Sequence, residues 1–200
     1  MTDRTRGKWD RASRTYDLAT WADERRYSAA KERLFRGMRG RCLMLAAGTG
    51  NDFRLFPPGL EVSSIDISRA MLERARPRAR AYPGGLSLLQ MDAHRLGFRD
   101  AAFDTILSVS TFCSVPDPVR GLRELHRVLR PEGRLLLFEH VRSRLGPIAM
   151  MQDLLTPLSR RFGPDLNRDT MTNLARAGFR LVREENVYLD IVKTAEAVRA

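Results

Sequence analysis

The hydrophobic and polar positions of this 200-residue chain follow two alternating patterns. An unbroken apolar run at 42–47 is typical of a strand that is covered on both faces, as in a mostly parallel sheet, and the largely apolar segments 102–109 and 135–138 predict further strands. Between such runs, apolar residues recur at three- and four-residue intervals, which predicts helices. Strands that alternate with helices in this way predict an α/β domain with a doubly wound sheet.

The apolar run at 41–47 leads into the turn Gly48-Thr49-Gly50, around which the rest of the chain is organised. Glycine lacks a Cβ, so Gly48 and Gly50 can take positive φ and let the backbone lie directly against a ligand. The first N–H groups of the following helix are unpaired donors. The turn therefore predicts close contact with a small molecule.

The next predicted strand, 60–66, ends in an acid that indicates what kind of molecule this is. Asp66 follows Gly48 by eighteen residues, near the spacing of about 20 at which nucleotide-binding folds place an acid on the ribose hydroxyls. A dinucleotide fingerprint needs a third glycine where this chain has Phe53, whose bulk would obstruct a pyrophosphate. The pattern favours a cofactor that has an adenosine but no phosphate.

The stretch 44–50 resembles motif I of the class I S-adenosylmethionine-dependent methyltransferases, and Asp66 resembles the acid of their motif II. The resemblance implies S-adenosyl-L-methionine as the cofactor. It also implies a Rossmann-like doubly wound sheet of seven strands in the order 3-2-1-4-5-7-6, with the last strand antiparallel, behind an N-terminal helical lead-in. Two positions depart from the family pattern: Met44 replaces an acid that helps to hold the amino-acid end of the cofactor, and Ala46 replaces the first glycine.

The resemblance extends to the strands that follow. Phe103-Asp104 is the usual opening of motif IV, and the end of that strand, 108–112, should face the reacting methyl group, because ligands of open α/β sheets bind there. The residues that the resemblance and the pattern place at the cofactor are Ala46, Gly48, Gly50, Asn51, Asp66, Ile67, Met71, Asp92, Ala93 and Ser108. Of these, Asp92 and Ala93 would contact the adenine. Capping a turn is the alternative for Asp92, and capping a helix is the alternative for Asn51.

The N-terminal segment repeats an aromatic-aspartate pair, at Trp9-Asp10 and at Tyr16-Asp17. It resembles the segment of the ubiquinone/menaquinone-type methyltransferases that folds over the cofactor and acceptor, which implies that Tyr16 lies near the methionine part of the cofactor. The alternative is that Trp9 and Tyr16, seven residues apart and so on one helix face, only attach this helix to the core.

His140, at the end of the fifth predicted strand, is the one histidine placed like an acid or a base. An imidazole with a pKa near 6.5 can accept a proton at neutral pH. A local hydrogen bond that holds the following loop is the alternative. The predicted catalytic or acceptor-orienting residues are His140, Tyr16 and Ser110.

We expect one methyltransferase domain over 1–200, made of a helical lead-in at 1–38, a cofactor-binding core at 41–142, a helical insertion at 147–162, and a C-terminal helix and closing hairpin at 168–198. The insertion carries apolar residues at helical intervals and ends in Arg160-Arg161, so it could roof the acceptor pocket or contact lipid. The passage from Glu139-His140 to 170 resembles phospholipid N-methyltransferases and thiol methyltransferases.

The composition limits the classes of partner that this chain is expected to bind. The net charge is +11, but the arginines are spread over the whole chain and do not form one stripe, which speaks against nucleic acid and leaves peripheral contact with an anionic membrane open. Cys42 and Cys113 predict two buried, reduced thiols and neither a disulfide nor a metal site. No signal peptide or membrane span is evident, so we expect a cytoplasmic protein.

The sequence thus predicts methyl transfer from S-adenosylmethionine to a small apolar or amphipathic acceptor that is quinone-, lipid- or thiol-like. Two alternatives stay open. A methyltransferase-like module without activity is suggested by Met44 and Ala46. A nicotinamide-dependent oxidoreductase is disfavoured by Phe53 and by the lack of a Tyr-x-x-x-Lys pair. The sequence makes no prediction of the oligomeric state.

Overall fold

Helices and strands alternate along the chain in the computed structural model, which describes residues 2–200 and all of their side chains except those of Thr2 and Phe162. Met1, the first residue of the predicted lead-in, lies outside the described residues. The strands are β1 (Arg41–Leu45), β2 (Glu61–Asp66), β3 (Gly85–Gln90), β4 (Phe103–Val109), β5 (Leu129–His140), β6 (Phe179–Tyr188) and β7 (Val192–Arg199). The helices are α1 (Thr2–Ala12), α2 (Tyr16–Phe35), α3 (Arg69–Ala81), α4 (Pro118–Val128), α5 (Gly146–Phe162) and α6 (Thr170–Arg176).

The strands form one sheet in the order β3-β2-β1-β4-β5-β7-β6, which confirms the predicted order. The first five of these strands are parallel to their neighbours, whereas β7 is antiparallel to both β5 and β6. A short turn suffices between the antiparallel strands β6 and β7, while each parallel pair needs a longer crossover. Helix α3 lies in the crossover from β2 to β3, and α4 lies in the one from β4 to β5.

The parallel strands end at nearly the same level. Leu45 of β1 pairs with Ile65 of β2 and with Ser108 of β4, and Val109 of β4 pairs with Phe138 of β5. The loops that follow these strands therefore emerge side by side along one edge of the sheet. In open α/β sheets, ligands bind at this carboxyl edge.

Apolar residues cover both faces of the sheet, as the unbroken apolar runs predict. One buried cluster joins Ile106 to Leu122 of α4 and Leu174 of α6. The other joins Met44 to Phe35 of α2 and also includes Ala75 of α3. Met44 thus belongs to the core, and its side chain offers no polar group to a ligand.

The N-terminal segment does not form the single helix that the alternative for Trp9 and Tyr16 assumed. It consists of two helices, because α1 ends at Ala12 and α2 begins at Tyr16. Trp9 and Tyr16 therefore do not share a helix face, and the argument from their spacing was wrong. Their rings still meet across the break, edge to face, with centroids 6.2 Å apart.

Side chains cap the helices α3 and α4. Ser68 caps α3 by accepting a hydrogen bond from the Met71 N–H at 3.1 Å, and Asp117 caps α4 by accepting one from the Arg120 N–H at 3.0 Å. Within residues 2–200, every helix is either too short or too polar to cross a bilayer.

Candidate active site

Two connected cavities lie at the carboxyl edge of the sheet. The first has a volume of about 310 Å³ and lies over the ends of β1, β2 and β4, and the second, of about 460 Å³, lies towards β5 and α5. The residues that line both cavities are Trp9, Tyr16, Ala46, Gly48, Val109, Ser110 and Ser114. Two bound molecules could therefore meet at the glycine turn and the end of β4.

Asp66 organises the first cavity. Its Oδ2 accepts a hydrogen bond from the Gly48 N–H at 2.9 Å, and its Oδ1 accepts one from the Ser68 N–H at 2.8 Å. Burial raises the pKa of Asp66 to about 6, against these two N–H donors, which favour the ionised form. A carboxylate has about four acceptor positions, so Asp66 can still accept a hydrogen bond from a hydroxyl group in the cavity that it lines.

The two glycines of the turn have different tasks. Gly48 lines both cavities with φ at +55°, and a Cβ there would have only Tyr16 within 4 Å, at 3.7 Å. Gly50 lines neither cavity, and a Cβ there would lie 2.7 Å from the ring of Phe53. Gly48 leaves room for a ligand, whereas Gly50 leaves room for Phe53.

Ala46 also lies in the left-handed region, with φ at 56°. A side chain there costs roughly 1–2 kcal/mol because the Cβ approaches the following carbonyl oxygen. Ala46 lines both cavities. The backbone here keeps a conformation that suits glycine, and the alanine side chain makes that conformation less stable.

The far end of the first cavity contains the other residues expected at an adenine. Ile67, Met71, Asp92 and Ala93 all line it. Asp92 Oδ1 also accepts a hydrogen bond from the N–H of His94 at 2.9 Å and lies 2.8 Å from Nδ1 of the same residue. Asp92 therefore caps the turn that follows it, which was the alternative to a role at the adenine, and it also lines the cavity.

Ser108 lies behind the cavities and contacts a buried acid that the sequence analysis did not single out. Glu139 Oε1 accepts hydrogen bonds from Ser108 Oγ at 2.7 Å and from the Thr111 N–H at 3.2 Å, and Oε2 accepts one from the Phe112 N–H at 3.2 Å. Burial raises the pKa of Glu139 to about 7, although these three donors favour the ionised form. Glu139 fixes the loop after β4, on which Ser110 lies.

Ser110 and His140 come together in the second cavity. Ser110 lines both cavities with φ at 48°, and its Oγ lies 3.2 Å from His140 Nδ1. Burial lowers the pKa of His140, so the imidazole is neutral at pH 7. In the tautomer in which Nδ1 donates to Ser110, Nε2 carries a lone pair that can accept a proton.

The two aromatic-aspartate pairs fasten the N-terminal helices over the cavities. Asp10 Oδ1 accepts a hydrogen bond from Ser68 Oγ at 2.6 Å, and Asp17 accepts hydrogen bonds from Thr49 Oγ1 and from Arg78, the latter at 2.8 Å. The aromatic residue of each pair, Trp9 or Tyr16, lines both cavities. The repeated pair was the only sequence signal for Asp10 and Asp17.

Polar groups form one wall of the second cavity. The Lys31 ammonium donates to Glu24 Oε1 at 2.7 Å and to Asp52 Oδ1 at 2.9 Å. Burial acts to lower the pKa of Lys31, but the two carboxylates together raise it. The neighbouring Asn51 also lines this cavity and donates its amide to Asp17 at 3.2 Å.

These features fit an adenosine cofactor. The first cavity offers a carboxylate for ribose hydroxyls, an open backbone at Gly48, and apolar walls from Ile67 and Met71. It opens, beside Tyr16 and Ser110, into a second cavity where an acceptor could bind. The fold and the site are those that the resemblance to class I S-adenosylmethionine-dependent methyltransferases implies.

Comparison with known proteins agrees with this class. Residues 43–137, just under half of the chain, match the family model of a methyltransferase domain. It is similar to a phosphatidylethanolamine N-methyltransferase of Cereibacter sphaeroides, with 34% identity over 128 residues that make up 62% of each chain. It is also similar to a thiol S-methyltransferase of Rattus norvegicus, with 28% identity over 72% of this chain and 61% of the relative.

The chain thus spans somewhat less than two thirds of the length of these two relatives. Among solved structures, an S-adenosylmethionine-dependent methyltransferase from Thermotoga maritima matches with a TM-score of 0.74 and 20% identity, over 98% of this chain and 100% of that one. At this identity the likeness shows the fold alone.

Replacing Ala46 by glycine should stabilise the protein. The substitution removes the strain of an alanine at φ 56°, which stabilises the folded state. Glycine also has more conformational entropy in the unfolded state, which offsets part of this effect. We therefore expect a gain of about 0.5–1 kcal/mol in the free energy of unfolding. Urea unfolding measures it. Ala47→Gly is the matched control, because Ala47 is buried next to it without positive φ, and it should lose stability. If both variants lost similar amounts of stability, Ala46 would not be strained.

The ionisation of Glu139 should make stability depend on pH. Because folding raises its pKa from 4.5 to about 7, the folded protein binds the extra proton, and stability present below pH 4.5 is lost as pH rises through 7. The loss is on the order of 3 kcal/mol. In Glu139→Gln this part of the pH dependence should be absent, as measured by urea unfolding of both proteins from pH 4.5 to pH 8. If the free energies of unfolding of the wild type and Glu139→Gln differed by the same amount at every pH in this range, the raised pKa of Glu139 would be refuted.

Proposed function

We propose that this protein transfers a methyl group from S-adenosylmethionine to a small amphipathic acceptor. The observation that carries the proposal is the meeting of the two cavities at Ala46, Gly48 and Ser110, with the buried carboxylate of Asp66 on one side and the imidazole of His140 on the other. The cofactor supplies a methyl group on a positively charged sulfur, so the protein has mainly to align an acceptor and exclude water.

On the cofactor side, we assign Asp66 to the ribose hydroxyls, and Asp92 and Ala93 to the adenine, between Ile67 and Met71. Ala46 and Gly48 would let the backbone approach the rest of the cofactor. Gly50 and Ser108 act indirectly in this proposal, by making room for Phe53 and by binding Glu139. With Met44 in the core, polar groups of α2 and the glycine turn must hold the amino-acid end.

On the acceptor side, Nε2 of His140 would take the proton that a thiol loses on attacking the methyl group, or the proton that an ammonium group must lose first to become a nucleophilic amine. Ser110 holds the imidazole through Nδ1, and Tyr16 closes the space over both cavities. Burial raises the pKa of Tyr16 far above its ordinary value, so this residue positions the acceptor as a neutral phenol.

The acceptor is lipid-, thiol- or quinone-like in this proposal. Two of the relatives are named for a phospholipid and for a thiol, and the second cavity has apolar walls from Tyr27, Phe138 and Leu155 beside its polar groups. Peripheral contact with an anionic membrane belongs to the same proposal, because lipids and quinones reside in bilayers. We further take residues 1–200 as one methyltransferase domain, because α1, α2 and α5 line the same cavities as the sheet.

Replacing Asp66 by alanine should weaken the binding of S-adenosylmethionine at least tenfold, because the ribose hydroxyls lose their acceptor and the Gly48 N–H loses its partner. Calorimetry measures the affinity, and circular dichroism checks the fold. Glu73→Ala, on the exposed side of α3, is the control and should bind normally. In the wild type, affinity should also fall below about pH 6, where Asp66 takes up a proton. Equal affinity of the three proteins would overturn the placement.

Replacing His140 by glutamine should lower kcat for a thiol acceptor about a hundredfold, the low end of the range for a general base. Binding of S-adenosylmethionine should stay the same. In the wild type, the rate should fall at acid pH, as the imidazole becomes protonated below its lowered pKa. Release of S-adenosylhomocysteine measures turnover, and His126→Gln, in α4 against Phe179, is the control. Full activity of His140→Gln would leave His140 only a structural role.

A further inference from the structure

Helix α5 is turned with its large apolar side chains towards solvent. Ala149, Gln152 and Thr156 are 3%, 8% and 2% exposed, whereas Met150, Leu154 and Leu158 are 70%, 78% and 59% exposed. An ordinary surface helix buries its apolar stripe and exposes its polar one. The stripe Met150, Met151, Leu154, Leu155 and Leu158, which we call the outer face of α5, is therefore not used for folding.

Hydrogen bonds hold α5 in this orientation. The Gln152 amide donates to the carbonyl oxygens of Val141 at 2.9 Å and Leu166 at 2.8 Å, and it accepts from the Ser143 N–H at 2.8 Å. Thr156 Oγ1 donates to the Gln152 carbonyl oxygen at 2.7 Å. The inward side of the helix is thus satisfied by polar contacts, and rotating the outer face inward would break the three hydrogen bonds that Gln152 makes to other segments.

The outer face of α5 borders the second cavity. Met151 and Leu155 belong to the outer face and also line the second cavity. An apolar molecule that leaves the surface covering this face would therefore enter the cavity without crossing water. The outer face is continuous with the acceptor site.

Positive charge flanks the outer face. Arg160 and Arg161 end the helix and are exposed, and Arg144 is exposed just before it begins. Arg160 also lies 2.7 Å from Asp165, and Arg144 lies 3.4 Å from Glu184. The one acid within α5, Asp153, is bound by Arg142 through contacts of 3.1 and 2.8 Å. Arginine can lay its apolar stem along a membrane interface while its guanidinium binds phosphate.

We propose that the outer face of α5 docks on a bilayer that contains anionic lipid, and that the acceptor enters the second cavity from that bilayer. An exposed apolar stripe with flanking arginines is the composition of helices that lie in the membrane interface. A second copy of the chain fits less well, because antiparallel pairing of two such helices would bring Arg160 and Arg161 of each copy towards Arg144 of the other. The inference rests on the proposed function.

Vesicle flotation tests the docking. The wild type should float with vesicles of phosphatidylcholine and phosphatidylglycerol, and much less with phosphatidylcholine alone, with binding that falls as salt is raised. The double variant Leu154→Glu/Leu158→Glu should bind at least tenfold less, since neither residue lines a cavity. Val182→Glu, at a position 53% exposed on the edge strand β6, is the matched control and should float like the wild type. Arg161→Ala should weaken binding to the anionic vesicles only.

Three further measurements separate the outcomes. Calorimetry with S-adenosylmethionine should give the same affinity for the wild type and the double variant; if the wild type does not bind it, the proposed function fails. Turnover of phosphatidylethanolamine in vesicles should drop in the double variant at least tenfold more than turnover of a water-soluble thiol. Normal cofactor binding without flotation would overturn the docking alone. A wild-type dimer in light scattering that the double variant abolishes, without flotation, would identify the face as a self-association surface and also overturn it.

Discussion

The site depends on buried carboxylates that bind the backbone N–H groups at the carboxyl edge of the sheet. A parallel strand that ends in a loop leaves donors there without strand partners, and leaving such groups buried and unpaired costs about 1–3 kcal/mol each. Asp66 binds the N–H groups of Gly48 and Ser68, and Glu139 binds those of Thr111 and Phe112. Each acid joins a loop to the end of a different strand, and together they shape the floor on which both cavities lie.

The same device serves the N-terminal helices. Asp10 and Asp17 reach from outside the sheet to Ser68 and Thr49, which belong to the loops that Asp66 organises. The helices α1 and α2 are therefore attached directly to the loops after β1 and β2, which we call the cofactor loops. A change in those loops on cofactor binding must act on Asp10 and Asp17, and through them on Trp9 and Tyr16, which line both cavities.

The sequence predicted most of the fold and about half of this network, for physical reasons that particular residues show. Asp66 could be found because its distance along the chain from Gly48 is set by a single crossover. Glu139 could not, because its partners lie 27 and 28 residues away on another strand's loop, and only its place after an apolar run marked it. Helical spacing identified the apolar stripe of α5, but spacing does not say which side faces in. That depended on Gln152 and loop carbonyl groups that only the folded chain brings together.

The two cavities have walls of different construction, and this bears on how two reactants can reach one reaction centre. The wall over the first cavity is held by charged and hydroxyl contacts of α1 and α2 to the cofactor loops. The wall of the second cavity formed by α5 is held by Gln152 to the segments around Val141 and Leu166. The two walls are nevertheless joined, because Lys8 of α1 donates a hydrogen bond to the carbonyl oxygen of Gly163, directly after α5. A movement of α5 that exchanges a molecule in the second cavity would therefore act on α1, whose Trp9 lines both cavities.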